Sequence, residues 1–258
     1  MMLIDTHAHL FYKDFAGQLD AVLDRARAAG VEAIICVGLD LATSRQAIAL
    51  AEQYPFIWAT VGVHPHDAAD VPEDYLGQLA QLAGHPRVVA IGEMGLDFYR
   101  NLSPADTQQR VFREQLELAK SVDLPVVVHN READDSLYAT LSAAGHRRGV
   151  VHCFSSDVPF ARRVLDFGFE LSFTGTVTFG KNHNAAVLQA VGLAHIMVET
   201  DCPYLAPAPR RGKTNEPSYL QHTVAAIAEI CGATAEAVGE TTAANARRFF
   251  GLPAKENL

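Results

Sequence analysis

Val31-Glu32-Ala33-Ile34-Ile35-Cys36-Val37, the helical pattern over 42–53, and Ile57-Trp58-Ala59-Thr60-Val61-Gly62-Val63 decide the fold. Two short apolar runs joined by a helix-length segment form a strand–helix–strand unit, whose strands are parallel. The unit repeats in both directions. Upstream lie a strand around Ile4 to Leu10 and a helix over 15–29, which Gly30 ends. Downstream come a helix near 73–82 and a strand over 88–91. Next is a helix that Ser103 caps and Pro104 opens, with Phe112, Leu116 and Ala119 on its inner stripe. Strands over 125–128, 149–152, 169–173 and 196–199 alternate with helices over 133–144, 158–167 and 185–191. Two helices, 218–230 and 235–249, follow the eighth strand. No composition break interrupts this order. It predicts a single domain over residues 1–258, an α/β fold with a closed (β/α)8 TIM-type barrel. No Gly-X-Gly-X-X-Gly or Walker loop follows any strand, which weakens the open doubly wound sheet and leaves no nucleotide-cofactor site.

With 49% apolar and 20% charged residues, the composition is that of a soluble globular enzyme. The net charge of −9 opposes a broad nucleic-acid-binding face, so a polyanionic substrate has to be held by local cations or metals. Cys36, Cys153, Cys202 and Cys231 form no Cys-X-X-Cys pair and read as reduced thiols of a cytoplasmic protein. Apolar runs fall far short of the roughly 20 residues of a membrane span. A monomer is expected.

In a barrel, side chains at the carboxyl ends of the strands converge on one mouth. Those ends read His7-Ala8-His9, His64-Pro65-His66, Glu93 through Asp97, His129-Asn130-Arg131, His152 and Glu199-Thr200-Asp201; strands two and seven contribute no such group. His7 and His9 taken alone fit two hydrogen-bonded core histidines. The other strand ends shift the balance to metal. His7, His9, Glu93, His129, His152 and Asp201 are imidazoles and carboxylates without a thiolate, a set that suits Zn2+, Mn2+ or Mg2+. Six donors exceed one tetrahedral shell, so two divalent metal ions are expected with a bridging carboxylate. None of the five lysines lies in a predicted strand, which leaves Glu93 as the bridge. Asp97 suits either orienting a ligand imidazole or capping a turn, and Glu199 shares a strand face with Asp201. Candidate substrate contacts are His64, Arg131 and the basic loop Arg210, Arg211 and Lys213.

The chain resembles the TatD family of metal-dependent hydrolases, within the amidohydrolase-like barrels. The likeness runs from Asp5-Thr6-His7-Ala8-His9 through Gly62 to His66, Gly92 to Phe98, Val128 to Arg131, His152 to Ser155 and Glu199 to Leu205, to Asn215-Glu216-Pro217. It implies a TIM-type barrel, a divalent-metal site on the same six residues and, for several members, deoxyribonuclease activity. The expected function is a two-metal phosphodiesterase on DNA. His7, His9 and Asp201 would hold one ion, His129 and His152 the other, Glu93 both, and Asp201 would accept the proton of the attacking water. The resemblance implies cleavage from the 3′ end of a single strand. An amide or ester hydrolase on the same site, such as an aminoacyl-ester deacylase, and a non-catalytic metal-stabilised interaction protein are the alternatives.

Overall fold

In the computed structural model, which describes residues 1–180 and 184–253, the strands are β1 Leu3–Ala8, β2 Val31–Val37, β3 Ile57–Val61, β4 Val88–Asp97, β5 Val126–Arg131, β6 Gly149–Val151, β7 Glu170–Phe173 and β8 Ile196–Val198. The helices are α1 Leu19–Ala28, α2 Leu41–Gln53, α3 Tyr75–Ala83, α4 Ala105–Ser121, α5 Asp134–Ala144, α6 Val158–Phe167, α7 Asn184–Val191, α8 Leu220–Cys231 and α9 Ala235–Phe250. His183, read from the sequence as carrying no chemistry, and Lys181 and Lys255, two of the lysines placed outside the predicted strands, lie outside the described residues. The strands pair in parallel in the order β1 to β8. They make a nearly closed barrel with helices between them, as the alternation predicts. No described helix is long and apolar enough to cross a membrane.

The last seam of the barrel is made beyond the end of β8. Asp201 N donates to His7 O at 2.9 Å, His9 N donates to Cys202 O at 2.9 Å, and Ala8 pairs with Cys202. The seam thus joins two of the strand ends that carry candidate ligands. Inside the barrel, Ile4, Ala33, Ile35, Val89, Val127 and Met197 pack with Ala243, Ala246 and Phe250 of α9. A larger apolar layer lies between the sheet and the surrounding helices. Asp40 and Thr43 form a capping box at the start of α2, and Asp157 accepts from Phe160 N at the start of α6.

Three expectations are corrected. β4 runs on to Asp97 instead of stopping at Ile91, because Gly92 and Gly95, at φ +139° and +143°, let it press against β5. A Cβ at Gly95 would stand 2.0 Å from His129 O, so only glycine keeps that pairing. Ser103 does not cap α4: Pro104 holds that position, and the Ser103 hydroxyl donates to His66 O while accepting from Ala69 N. α1 begins at Leu19, since the chain first makes a short turn at Lys13–Phe15.

Candidate metal centre and active-site cleft

Glu93, buried on β4, aims its two carboxylate oxygens at two separate groups of donors. Oε2 lies 3.2 Å from His7 Nε2. His7 Nε2 is in turn 3.3 Å from His9 Nε2 and 3.9 Å from Asp201 Oδ1, and His9 Nε2 is 3.3 Å from the same Asp201 oxygen. On the other side, Oε1 lies 2.7 Å from His152 Nε2, 2.9 Å from His129 Nδ1 and 3.4 Å from His64 Nε2. Donors around a tetrahedral ion at about 2.0–2.1 Å stand roughly 3.3–3.4 Å apart, which His9 Nε2 matches toward both His7 and Asp201, at 3.3 Å each, while His7 and Asp201 stand wider at 3.9 Å. Three overlapping triads satisfy a common ligand spacing: His7–His9–Asp201, His7–Glu93–His152 and His64–Glu93–His129.

The imidazoles are oriented by groups behind them, as metal-binding histidines require. His9 Nδ1 donates to Val37 O at 2.9 Å, which leaves the Nε2 lone pair free to face His7 and Asp201. His129 Nε2 meets Asp97 Oδ2 at 3.2 Å, and His66 Nε2 reaches that oxygen at 2.8 Å. Asp97 Oδ1 meanwhile accepts from Arg100 N at 2.7 Å, so this side chain both orients a histidine and caps a turn. Glu199 Oε1 accepts from Cys153 N at 2.7 Å and lies 3.4 Å from His152 Nδ1, and its Oε2 accepts from the Ser172 hydroxyl at 2.7 Å. Strands two and seven therefore do serve the site, through the Val37 carbonyl and Ser172. Neither is a ligand-type group at a strand end, so a search for ligands passes over both. Asp5 takes no part in the donor groups; Thr200 N and the Thr200 hydroxyl donate to its carboxylate at 2.9 and 2.6 Å.

Burial opposes charge on every one of these groups, and their mutual contacts decide the outcome. Burial alone would raise Glu93, but His152, His64 and His7 hold it well below the carboxylate range. Burial would likewise raise Asp201, which His9 and His7 hold down. Burial with no adequate partner pushes His64 down to about 4, so it is neutral at neutral pH. Burial and the neighbouring His152 lower His7 as well. His7 Nδ1 is buried without a hydrogen bond, and neither nitrogen of His152 makes an aligned one despite the nearby carboxylates. Such orphaned polar atoms are costly in a protein interior, and here they belong to the donor groups themselves. Burial would lower His9, His129 and His152 too, but the carboxylates against them raise all three: Asp201 for His9, Asp97 and Glu93 for His129, and Glu93 and Glu199 for His152. Ionised carboxylates, imidazoles packed against them and orphaned nitrogens together fit a centre for divalent cations.

The two groups form the floor of a cleft of about 920 Å³. Arg131, predicted to contact substrate, lines it, as does His64. Arg210, Arg211 and Lys213 do not line it. They are exposed on the loop after β8, where the guanidinium groups of Arg210 and Arg211 lie 5.0 Å from the Tyr219 ring and 5.2 Å from the Phe179 ring. Arg100 is the cleft cation that a search for dense basic runs misses, because it stands singly in the loop after β4. Two buried glutamines on α4 are also unforeseen. Gln115 exchanges hydrogen bonds with Val63 N and O at 2.8 and 3.0 Å, and Gln108 does the same with Asp97 N and O at 2.8 and 3.2 Å. Each side-chain amide substitutes for a strand partner and fixes the ends that carry His64 and Asp97.

A family model described as TatD related DNase matches residues 4–251 of this chain. The chain belongs to the TatD-related DNase family. It is a metal-dependent hydrolase that acts on ester bonds. The metal-dependent hydrolase YabD of Bacillus subtilis is 43% identical over 255 residues, covering 97% of this chain and 100% of that protein. A 3′-5′ ssDNA/RNA exonuclease TatD of Pectobacterium carotovorum is 38% identical over 259 residues, covering 97% and 100%. Among solved structures, the TatD homolog YJJV of Escherichia coli superposes with a TM-score of 0.93 at 32% identity, covering 97% of this chain and 98% of that one.

Proposed function

We propose that this TatD-family hydrolase is a two-metal exonuclease that removes nucleotides from the 3′ ends of single-stranded DNA. The observation that carries the reading is Glu93, whose two oxygens face two separate donor groups at the floor of one cleft. His7, His9 and Asp201 would hold one divalent ion (Mg2+, Mn2+ or Zn2+), His129 and His152 the other, and Glu93 both. When bound, such a pair supplies Lewis-acid stabilisation of phosphoryl charge and a more acidic water. Asp201, ionised and open to the cleft, takes the proton of the attacking water. Neutral His64 offers a contact to a phosphoryl oxygen beside the second group. Arg100 and Arg131 meet the phosphates of the strand within the cleft, and Arg210, Arg211 and Lys213 reach only phosphates farther along it. The relatives named as 3′-5′ exonucleases support the polarity and the single strand.

Action as a monomer is part of the proposal, and the free cysteines Cys36, Cys153, Cys202 and Cys231 support a cytoplasmic location. The test is hydrolysis by metal-loaded protein of end-labelled oligonucleotides with single-stranded, recessed or blocked 3′ ends, beside RNA and an aminoacyl ester. A free single-stranded 3′ end should be shortened stepwise in a metal-dependent way. Cutting unaffected by a blocked 3′ end, or turnover of the aminoacyl ester alone, contradicts the reading.

A further inference from the structure

Four large apolar side chains stand well into solvent among the described residues: Met1, Tyr99, Leu102 and Tyr204. Three of them gather at the cleft. Leu102, 64% exposed, and Tyr204, 51% exposed, line it, and Tyr99 carries the guanidinium of the cleft residue Arg131 at 4.0 Å from its ring centre. Exposed apolar surface collected in one place marks an interaction site.

Tyr204 is braced for such a use. Its ring meets Tyr12 edge-on at 5.7 Å, and Tyr12 packs against Phe11 at 5.1 Å and His9 at 5.7 Å. Its backbone is pinned at both ends: Tyr204 N donates to Asp201 O at 2.9 Å, and Asn215 Nδ2 donates to Tyr204 O at 2.6 Å. The same Asn215 nitrogen donates to Thr200 O at 2.8 Å. The aromatic ring and the Asp201 carboxylate therefore ride on one fixed turn, and a group resting on the ring is placed at a set distance from the donor groups.

We propose that Tyr204, backed by Tyr12, is a stacking platform for the nucleobase beside the scissile phosphodiester, with Leu102 as a second apolar contact. The inference rests on the nuclease reading above and adds the determinant of substrate choice. Aromatic faces stack on any base, so the platform gives grip without sequence preference. It also favours single strands: a base at a duplex end is already paired and stacked on its inner neighbour, and has to give up its pairing to enter the cleft. Arg100 and Arg131 in the same cleft complement the phosphates of such a strand.

The test uses metal-loaded protein and single strands carrying 2-aminopurine at the 3′ end through a phosphorothioate linkage. Stacking quenches that fluorophore, so quenching is expected with the unaltered protein and with Tyr204→Phe, and is lost in Tyr204→Ala. In parallel, otherwise identical strands end in a normal nucleotide or an abasic tetrahydrofuran. The base-bearing strand should be favoured roughly tenfold in kcat/KM, within the range expected of one stacked base, and Tyr204→Ala should erase most of that preference. Equal cleavage of both strands by the unaltered protein overturns the platform while leaving the nuclease reading intact. Equal losses on both strands in Tyr204→Ala assign the ring a packing role and also overturn it. Cleavage of neither strand overturns the nuclease reading itself, and the platform with it.

Discussion

Asp201 has two attachments with different consequences. Its backbone N–H is tied to His7 O across the barrel seam, and its carboxylate oxygen faces His9 and His7. An amide in place of the carboxylate leaves the backbone tie untouched and still offers one oxygen to an ion, but accepts no proton. Asp201→Asn should therefore keep the fold and lose turnover by about 10²-fold or more, as expected for removal of a general base. Circular dichroism with single-turnover kinetics checks both halves; near-normal turnover would remove Asp201 from that role. Asp97 acts one contact farther away, through His129. Asp97→Asn should weaken metal binding by about 10- to 100-fold, the range for groups that orient a metal-bound histidine. Titration with a competing chelator measures this, and unchanged affinity would show that His129 is fixed by other contacts. Of these residues, the candidate ligands stood out in sequence because imidazoles and carboxylates at strand ends are conspicuous. The partners Val37 and Ser172 were not, since a backbone carbonyl and a serine carry no signal of their role.

At the scale of elements, the loop after β8 shows how the site is held from outside. Arg25 on α1 donates from Nε and Nη2 to the two oxygens of Glu216 at 2.9 and 2.6 Å, and Glu216 follows Asn215, which pins the turn of Asp201 and Tyr204. Burial would raise the Glu216 carboxyl, but Arg25 and Ser218 hold it below its usual range. A carboxyl depressed in the folded state contributes stability that is present above its unfolded pKa of about 4.3 and is lost as pH falls through the folded value. Arg25 is about half exposed, so solvent screening limits the pair to about 1 kcal/mol. Arg25→Ala should accordingly lower Tm by about 2–4 °C at pH 7, with the gap closing below about pH 4. Calorimetry of both proteins across that range measures it, and a gap constant with pH would mean that Arg25 acts through packing. The element pattern itself was legible from alternation alone. Its main error, the early end of β4 at Ile91, falls where the apolar run gives way to Gly92; the close approach to β5 that requires Gly92 and Gly95 is a tertiary fact. Gln108 and Gln115 were missed for a related reason: on an inner helical stripe, only the neighbouring strand ends reveal what they satisfy.

For the whole molecule, the barrel gathers groups from across the chain that a local motif could not hold. His7 and Asp201 are brought together by the closing seam, and Glu93 stands between them and His129 with His152. The order of strands made that convergence predictable, and Arg131 in the cleft with it; the second cleft cation, Arg100, was not, while the basic run Arg210-Arg211 turns toward aromatic rings outside. The central claim is that Glu93 belongs to two metal positions at once. Elemental analysis of protein stripped with chelator, reloaded and desalted tests it directly, on the unaltered chain beside Glu93→Ala and His9→Ala. The account predicts two ions per chain in the unaltered protein, loss of more than one in Glu93→Ala, and a smaller loss in His9→Ala. A Glu93→Ala protein that is folded and keeps the full metal complement would contradict it.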